Sequence, residues 1–207
     1  MQFLEYGNKD APVVLVQPVN GYDLSGMDVE IAAIQKETNR DFFLLGIKVD
    51  DWNNDLSLWR SKNVFGKGEF AGRAQETLNE ILKKATDKDK KYYIGGYSLA
   101  GLFALWAATK TDAFSGVAAA SPSTWYDGFC DYLQDRSLPC PVYLSLGKDE
   151  DKAKLKVLAA TAEKIKETYA ILQKKGVDCT LVWNEGNHFQ DTHLRTAKAF
   201  SWVMNRN

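Results

Sequence analysis

Six short apolar runs separated by helix-like stretches set the strongest limit on how this chain can fold. The runs fall at residues 12–17, 42–48, 91–95, 116–120, 142–146 and 179–183. Helical spacing of apolar residues fills the intervals, at residues 28–38, 70–84, 99–108, 154–174 and 193–204. Continuous apolar strands that alternate with helices predict an α/β fold, with a mostly parallel central sheet and helices on both faces.

The ends of these strands predict where a functional site would lie. In open parallel sheets, ligands bind beyond the carboxyl ends of the strands. One rim of the sheet should therefore carry the loops that follow residues 17, 48, 95, 120, 146 and 183.

Length, charge and cysteine content exclude several classes of protein. The chain has 207 residues, which suits one domain over residues 1–207, and its net charge of -1 creates no field that attracts nucleic acid. Cys130, Cys140 and Cys179 lack paired metal-ligand spacing, which predicts free thiols rather than disulfides or a zinc site. No segment has the pattern of a signal peptide or a membrane span. We therefore expect a cytoplasmic protein without a nucleic-acid or membrane partner.

The segment 95–101, with the sequence GGYSLAG, follows the third run and precedes a helix. It resembles the nucleophile elbow Gly-x-Ser-x-Gly, in which a serine sits on a sharp strand-to-helix turn. Such a turn requires small residues two positions before and after the serine, and Gly96 and Ala100 meet this need. Ser98 is therefore the predicted nucleophile, at a helix N-terminus that favours developing negative charge. The alternative is a serine that only caps the helix.

Two histidines, His188 and His193, are the candidates for a general base. His188 lies in a glycine-containing loop after the last run, on the predicted rim and C-terminal to Ser98. The chain order of serine, acid and histidine is that of α/β hydrolases, which selects His188. His193, at the start of the final helix, is expected to cap that helix or face solvent.

Three acids compete for the third position of a triad, in the loop after the fifth run. Glu150 fits the spacing Gly-x-x-Asp/Glu that many hydrolases of this fold show after Gly147. Asp149 is the next candidate and Asp151 the third, and a Ser98–His188 dyad without an acid stays open. An acidic first turn that complements a helix dipole is the alternative role for this cluster.

Taken together, these segments resemble the esterase family of α/β hydrolases that includes esterase D and enterochelin-esterase-like proteins. The resemblance covers most of the chain. It implies an α/β-hydrolase fold without a cap domain, hydrolysis of a small carboxylic ester, and no cofactor or metal. The segments that carry it are 96–101 (GYSLAG), 121–126 (SPSTWY), 145–150 (SLGKDE), 186–189 (GNHF) and 51–59 (DWNNDLSLW).

An acyl-transfer site also needs two donors for the developing oxyanion and a pocket for the substrate. The backbone N–H of Leu99, directly after the nucleophile, is the first predicted donor. Val19 is the first choice for the second donor, and Asn20 the alternative. Three tryptophans fall on predicted rim loops and would form an aromatic wall for the substrate: Trp52, Trp59 and Trp125. Trp183 and Trp202 are expected in the core.

Three functions fit this pattern. The first is a serine esterase, and the second is a thioesterase or acyltransferase that uses the same triad. The third is a non-catalytic binding protein on the hydrolase fold, whose mark would be a missing triad member. A dinucleotide-binding domain is disfavoured, because segment 95–101 lacks the Gly-x-Gly-x-x-Gly spacing.

Overall fold

The computed structural model describes residues 1–64, 66–152 and 156–206. Its strands are β1 (Gln2–Gly7), β2 (Val13–Val19), β3 (Phe43–Lys48), β4 (Arg60–Lys62), β5 (Glu69–Ala71), β6 (Lys91–Tyr97), β7 (Phe114–Ala120), β8 (Val142–Gly147) and β9 (Cys179–Asn184). Its helices are α1 (Gly21–Ser25), α2 (Met27–Thr38), α3 (Trp52–Asp55), α4 (Ala74–Leu82), α5 (Leu99–Ala107), α6 (Phe129–Gln134), α7 (Lys156–Ala159), α8 (Thr161–Lys174) and α9 (Thr192–Met204).

One large sheet carries the fold, with the strand order β1-β3-β2-β6-β7-β8-β9. Strand β1 runs antiparallel to β3, and the other neighbouring strands are parallel. The six predicted apolar runs are the six parallel strands, so the predicted sheet is confirmed. Sequence reasoning missed β1, because this edge strand is only partly buried and has no continuous apolar run.

Two hydrophobic layers cover the two faces of the sheet. Alternate residues of β6 point to opposite faces, so that Ile94 packs in one layer and Tyr93 in the other. The first layer includes residues of α4, α5, α6 and α8, and the second includes residues of α2 and α9. Helix α5 is buried along its whole length, which explains its almost entirely apolar sequence.

Two predicted helices differ from the structure. The helix predicted over residues 70–84 begins only at Ala74, because Phe70 pairs with Ser61 in a small antiparallel hairpin of β4 and β5. The helix predicted over residues 154–174 is two helices, α7 and α8, separated at Ala160. The first two residues predicted for it, 154 and 155, lie outside the described residues.

The cysteines and Trp183 differ in how well they match the sequence predictions. The three cysteines are free, with Cys130 and Cys140 buried and Cys179 half-buried. The prediction that Trp183 belongs to the core is wrong: it lies on the edge strand β9, is 37% exposed, and has the Lys166 ammonium 5.3 Å from its ring. Within the described residues, the helices are all too short or too polar to cross a bilayer.

Candidate active site

The turn between β6 and α5 holds Ser98 in a strained backbone conformation. Ser98 has φ 58° and ψ -117°, values that non-glycine residues rarely adopt. The turn is fixed on both sides, since Ser98 N–H donates to the Ala120 carbonyl (3.0 Å) and its own carbonyl accepts from Ser123 N–H (3.1 Å). A Cβ at Gly96 would lie only 2.7 Å from the Cβ of Ala100. The geometry is that of a nucleophile elbow.

His188 is brought to Ser98 by the loop between β9 and α9. Its Nε2 atom lies 3.0 Å from Ser98 Oγ, which is hydrogen-bond distance. The loop is held in place because the Tyr97 hydroxyl donates to the His188 carbonyl at 2.8 Å. Burial, and secondarily the nearby Glu150 charge, raise the pKa of Tyr97 to about 12, so its hydroxyl keeps its proton for this bond.

Glu150 is the acid that the structure places against His188. It begins a short 3₁₀ turn after β8, and its Oε2 lies 2.6 Å from His188 Nδ1. The other oxygen, Oε1, accepts from Gly147 N–H (2.7 Å), the Ser121 hydroxyl (2.8 Å) and Arg195 Nη1 (3.3 Å). The carboxylate is almost fully buried, and these donors replace the water that burial removes.

The two neighbouring acids are directed elsewhere. Asp149 pairs with Lys152 at the surface, with 2.5 Å between Oδ1 and Nζ, and Asp151 is exposed. Of the three predicted candidates, Glu150 is therefore the one within reach of the imidazole.

His193 occupies a place that the sequence did not predict. Instead of capping the helix or facing solvent, it lies 3.8 Å from the buried carboxylate of Glu30 on α2 and stacks on Tyr22 at 5.5 Å. Gly26 makes room for it, since a Cβ there would lie 2.1 Å from His193 Nε2. The expectation for His193 is wrong because α2 and α9 pack face to face, and the sequence does not show this contact.

Sequence reasoning missed two residues that support the site. Arg195 on α9 is 3% exposed and also donates to the Tyr97 hydroxyl (3.1 Å) and the Glu185 carbonyl (2.6 Å). Ser121 lies in the segment SPSTWY and has φ 42°, a strained value that directs its hydroxyl to Glu150. The available sign for Arg195 was its helical spacing from Ala199 and Val203, which places a charged residue on the buried stripe of α9, where charged residues are rarely found without a partner.

Two hollows open onto Ser98 and His188. The wide hollow has a volume of about 720 Å³ and the narrow hollow one of about 320 Å³. Both are also bordered by Trp52 and Phe189. The described residues that line only the wide hollow are Asn53, Leu99, Ser121, Ser123, Trp125, Asp149, Glu150, Lys152, Leu158, Thr161 and Asn187. Those that line only the narrow hollow are Asn20, Tyr22, Asp23, Tyr97 and Thr192.

The three predicted tryptophans separate into two groups. Trp52 borders both hollows and Trp125 borders the wide one. Trp59 instead packs against Tyr126 and Tyr132, and its indole N–H donates to the Asp127 carbonyl at 3.0 Å. Trp59 is therefore placed in loop packing and not in the wall of either hollow.

The two predicted oxyanion donors lie at the start of α5 and at the end of β2. Leu99 is the first residue of α5, where backbone N–H groups have no acceptor within the helix. The N–H of Asn20 is already donated to Asp23 Oδ2 (2.9 Å), in the capping box that starts α1. This removes the alternative donor. Val19 is the last residue of β2, and its side chain is fully buried.

No family model and no curated protein matches the sequence. The siderophore hydrolase EstA from Aspergillus nidulans is 18% identical, with 97% of this chain and 86% of that chain covered and a TM-score of 0.69. The IroE-like serine hydrolase from Shewanella oneidensis is 14% identical, with 97% and 74% covered and a TM-score of 0.76.

A third solved structure, the siderophore hydrolase EstB from Aspergillus nidulans, is 15% identical, with 93% of this chain and 82% of that chain covered and a TM-score of 0.66. The chain has the α/β-hydrolase fold. The structural neighbours named as an IroE-like hydrolase and siderophore hydrolases correspond to the enterochelin-esterase-like group that the sequence resembles.

Proposed function

We propose that this protein is a serine esterase that cleaves a small carboxylic ester through an acyl-enzyme. The observation that carries the proposal is the continuous line of contacts from Ser98 Oγ to His188 Nε2 (3.0 Å) and from His188 Nδ1 to Glu150 Oε2 (2.6 Å). The strained elbow and the two hollows beside Ser98 support it further.

In this mechanism Ser98 Oγ attacks the ester carbonyl while His188 Nε2 takes the hydroxyl proton. The carbonyl oxygen becomes an oxyanion, stabilised by the N–H of Leu99 and by that of Val19 at the end of β2. Collapse breaks the ester bond, and His188 returns its proton to the departing alcohol. Water then attacks the acyl group by the same route, which releases the acid and restores Ser98. Glu150 holds the imidazole in one tautomer and stabilises the imidazolium.

The substrate screen that tests this proposal begins with p-nitrophenyl esters of increasing acyl length. Two of the structural neighbours are named siderophore hydrolases, so siderophores form a second class in the screen. Ser98→Ala should lower kcat by several orders of magnitude while the protein stays folded, because no covalent intermediate can form.

A fluorophosphonate probe gives the matching direct readout. It should label the wild-type protein once, at Ser98, and should leave the Ser98→Ala variant unlabelled. Labelling at another residue, or full esterase activity in Ser98→Ala, would overturn the assignment.

A further inference from the structure

The narrow hollow is an aromatic chamber beside the reacting atoms. Among the described residues that line it, the aromatic ones besides His188 are Tyr22, Trp52, Tyr97 and Phe189. Its volume of about 320 Å³ lies at the small end of ligand pockets. Because Ser98 and His188 also border it, a group bound here belongs to a substrate whose ester lies at Ser98.

Asp23 gives this chamber a negative charge. The residue is 7% exposed and lines the chamber, and none of the described lining residues is a lysine or arginine. Glu30 and His193 lie near Asp23, so that the His193 imidazole is close to two carboxylates. Of these three groups, Asp23 is the one that borders the chamber.

The Asp23 carboxylate has acceptor capacity left for a ligand. One carboxylate oxygen of Asp23 accepts a hydrogen bond from Asn20 N–H, and the other oxygen can accept a further one.

We propose that the narrow hollow binds a positively charged ammonium group of the ester substrate, held by the Asp23 carboxylate and the surrounding aromatic faces. Aromatic rings around a carboxylate are the chemistry that recognises an ammonium ion, since the ring faces are negative and the carboxylate neutralises the charge. The proposal rests on the proposed esterase function and adds the charge class of its substrate. A neutral alkyl group of the same shape would bring no charge to the Asp23 carboxylate and would displace water from it.

Matched ester pairs test the charge directly. Acetylcholine and 3,3-dimethylbutyl acetate have the same shape and differ in the charge on the alcohol side. Methyl 5-aminovalerate and methyl hexanoate differ in the same way on the acyl side. In at least one pair, kcat/KM should be about tenfold or more higher for the cationic ester at low ionic strength, and the preference should shrink as salt is added. Equal rates within both pairs overturn the proposal.

The Asp23→Asn variant tests the contribution of the negative charge on the Asp23 carboxylate. The amide oxygen of asparagine can still accept the Asn20 N–H, so the start of α1 is kept while the charge is lost. In a pair that shows the cationic preference, the ratio of kcat/KM for the cationic ester to that for the neutral ester should fall to about one. Asp28→Asn removes the same charge from an exposed position on α2 and should keep the preference. A preference retained in Asp23→Asn overturns the proposal.

Binding without turnover separates this proposal from the proposed function. Choline and its neutral analogue 3,3-dimethylbutan-1-ol can be titrated against the Ser98→Ala protein and followed by ligand NMR. Choline should bind about tenfold or more tightly than the alcohol, and Asp23→Asn should abolish the difference. If no ester is hydrolysed by wild type, the esterase function fails, and this titration alone decides the ammonium site. Equal binding of the two compounds rejects the site whatever the activity.

Discussion

At the scale of single residues, the two oxygens of Glu150 have separate tasks. Oε2 contacts His188, and Oε1 is fixed by a backbone N–H, a hydroxyl and a guanidinium. The carboxylate thus has no freedom to turn away from the imidazole. A rigid acid of this kind would hold the histidine with its Nε2 towards Ser98.

Replacing the acid by its amide tests this task. Glu150→Gln should lower kcat by up to about four orders of magnitude, because the amide cannot stabilise the imidazolium and favours the wrong tautomer. Asp149→Asn and Asp151→Asn should stay near wild type, because Asp149 pairs with Lys152 and Asp151 is exposed, whereas Glu150 contacts the imidazole. Full activity in Glu150→Gln would indicate a Ser98–His188 dyad.

Arg195 is a positioning residue that acts through Glu150. Arg195→Met should lower stability by about 3 kcal/mol, because removing one member of a buried ion pair leaves the other charge uncompensated. It should also lower kcat while KM stays close to the wild-type value, because Arg195 Nη1 helps to fix Glu150 Oε1 and does not line either hollow.

The separate effects on kcat and KM distinguish positioning from general support of the fold. A purely structural role would lower stability and leave the kcat of the folded protein unchanged. Lys198→Met, at an exposed position on the same helix, is the control and should change neither quantity.

At the scale of elements, the junction between β6 and α5 is possible because Gly96 has no side chain. Gly96 has φ 150°, and a Cβ there would lie 2.7 Å from Ala100. Gly96→Ala should therefore lower the free energy of unfolding by roughly 2 to 5 kcal/mol, from overpacking and backbone strain together.

Denaturant unfolding measures this change. Gly21→Ala serves as the control, because a Cβ at Gly21 meets nothing within 4 Å and its stability should stay within about 1 kcal/mol of wild type. If Gly96→Ala were as stable as Gly21→Ala, the turn would not be as tight as the structure has it.

At the scale of the whole molecule, the contact between α2 and α9 makes stability depend on pH. Burial raises the pKa of Glu30 from 4.5 to about 7, and the nearby Glu30 carboxylate raises the pKa of His193 above 6.5. Between pH 4.5 and 7 the folded protein holds a proton on Glu30 that the unfolded chain has released. The stability linked to His193 is fully present below pH 6.5 and is also lost as pH rises.

The titration of Glu30 and that of His193 both lower the stability of the fold as pH rises, so Tm should fall as pH is raised from 5 to 8. The contribution of Glu30 is roughly 3 kcal/mol, or several degrees in Tm for a chain of this length. Glu30→Gln removes the titrating carboxyl and should flatten this part of the profile. The exposed Glu37→Gln on the same helix should leave it unchanged. A wild-type Tm that rises from pH 5 to 8 would contradict the assignment.

The sequence by itself determined the parallel strands, the elbow at Ser98 and the candidate base His188. These depend on local patterns: apolar runs bury strands on both faces, and small residues permit a sharp turn. Glu150 could be ranked first among three acids by spacing. However, a shift of one residue changes which side chain faces inward, and only the tertiary contact of 2.6 Å with His188 distinguishes Glu150 from Asp149.

Tertiary structure alone decided the features that join distant segments. Arg195 reaches Glu150 across 45 residues, and His193 meets Glu30 because two helices pack on one face of the sheet. Trp59 and Trp125 share a predicted rim, yet one packs within a loop and the other lines a hollow. The physical reason is that periodicity fixes which side of an element is buried, whereas the partner on that side depends on how the elements pack.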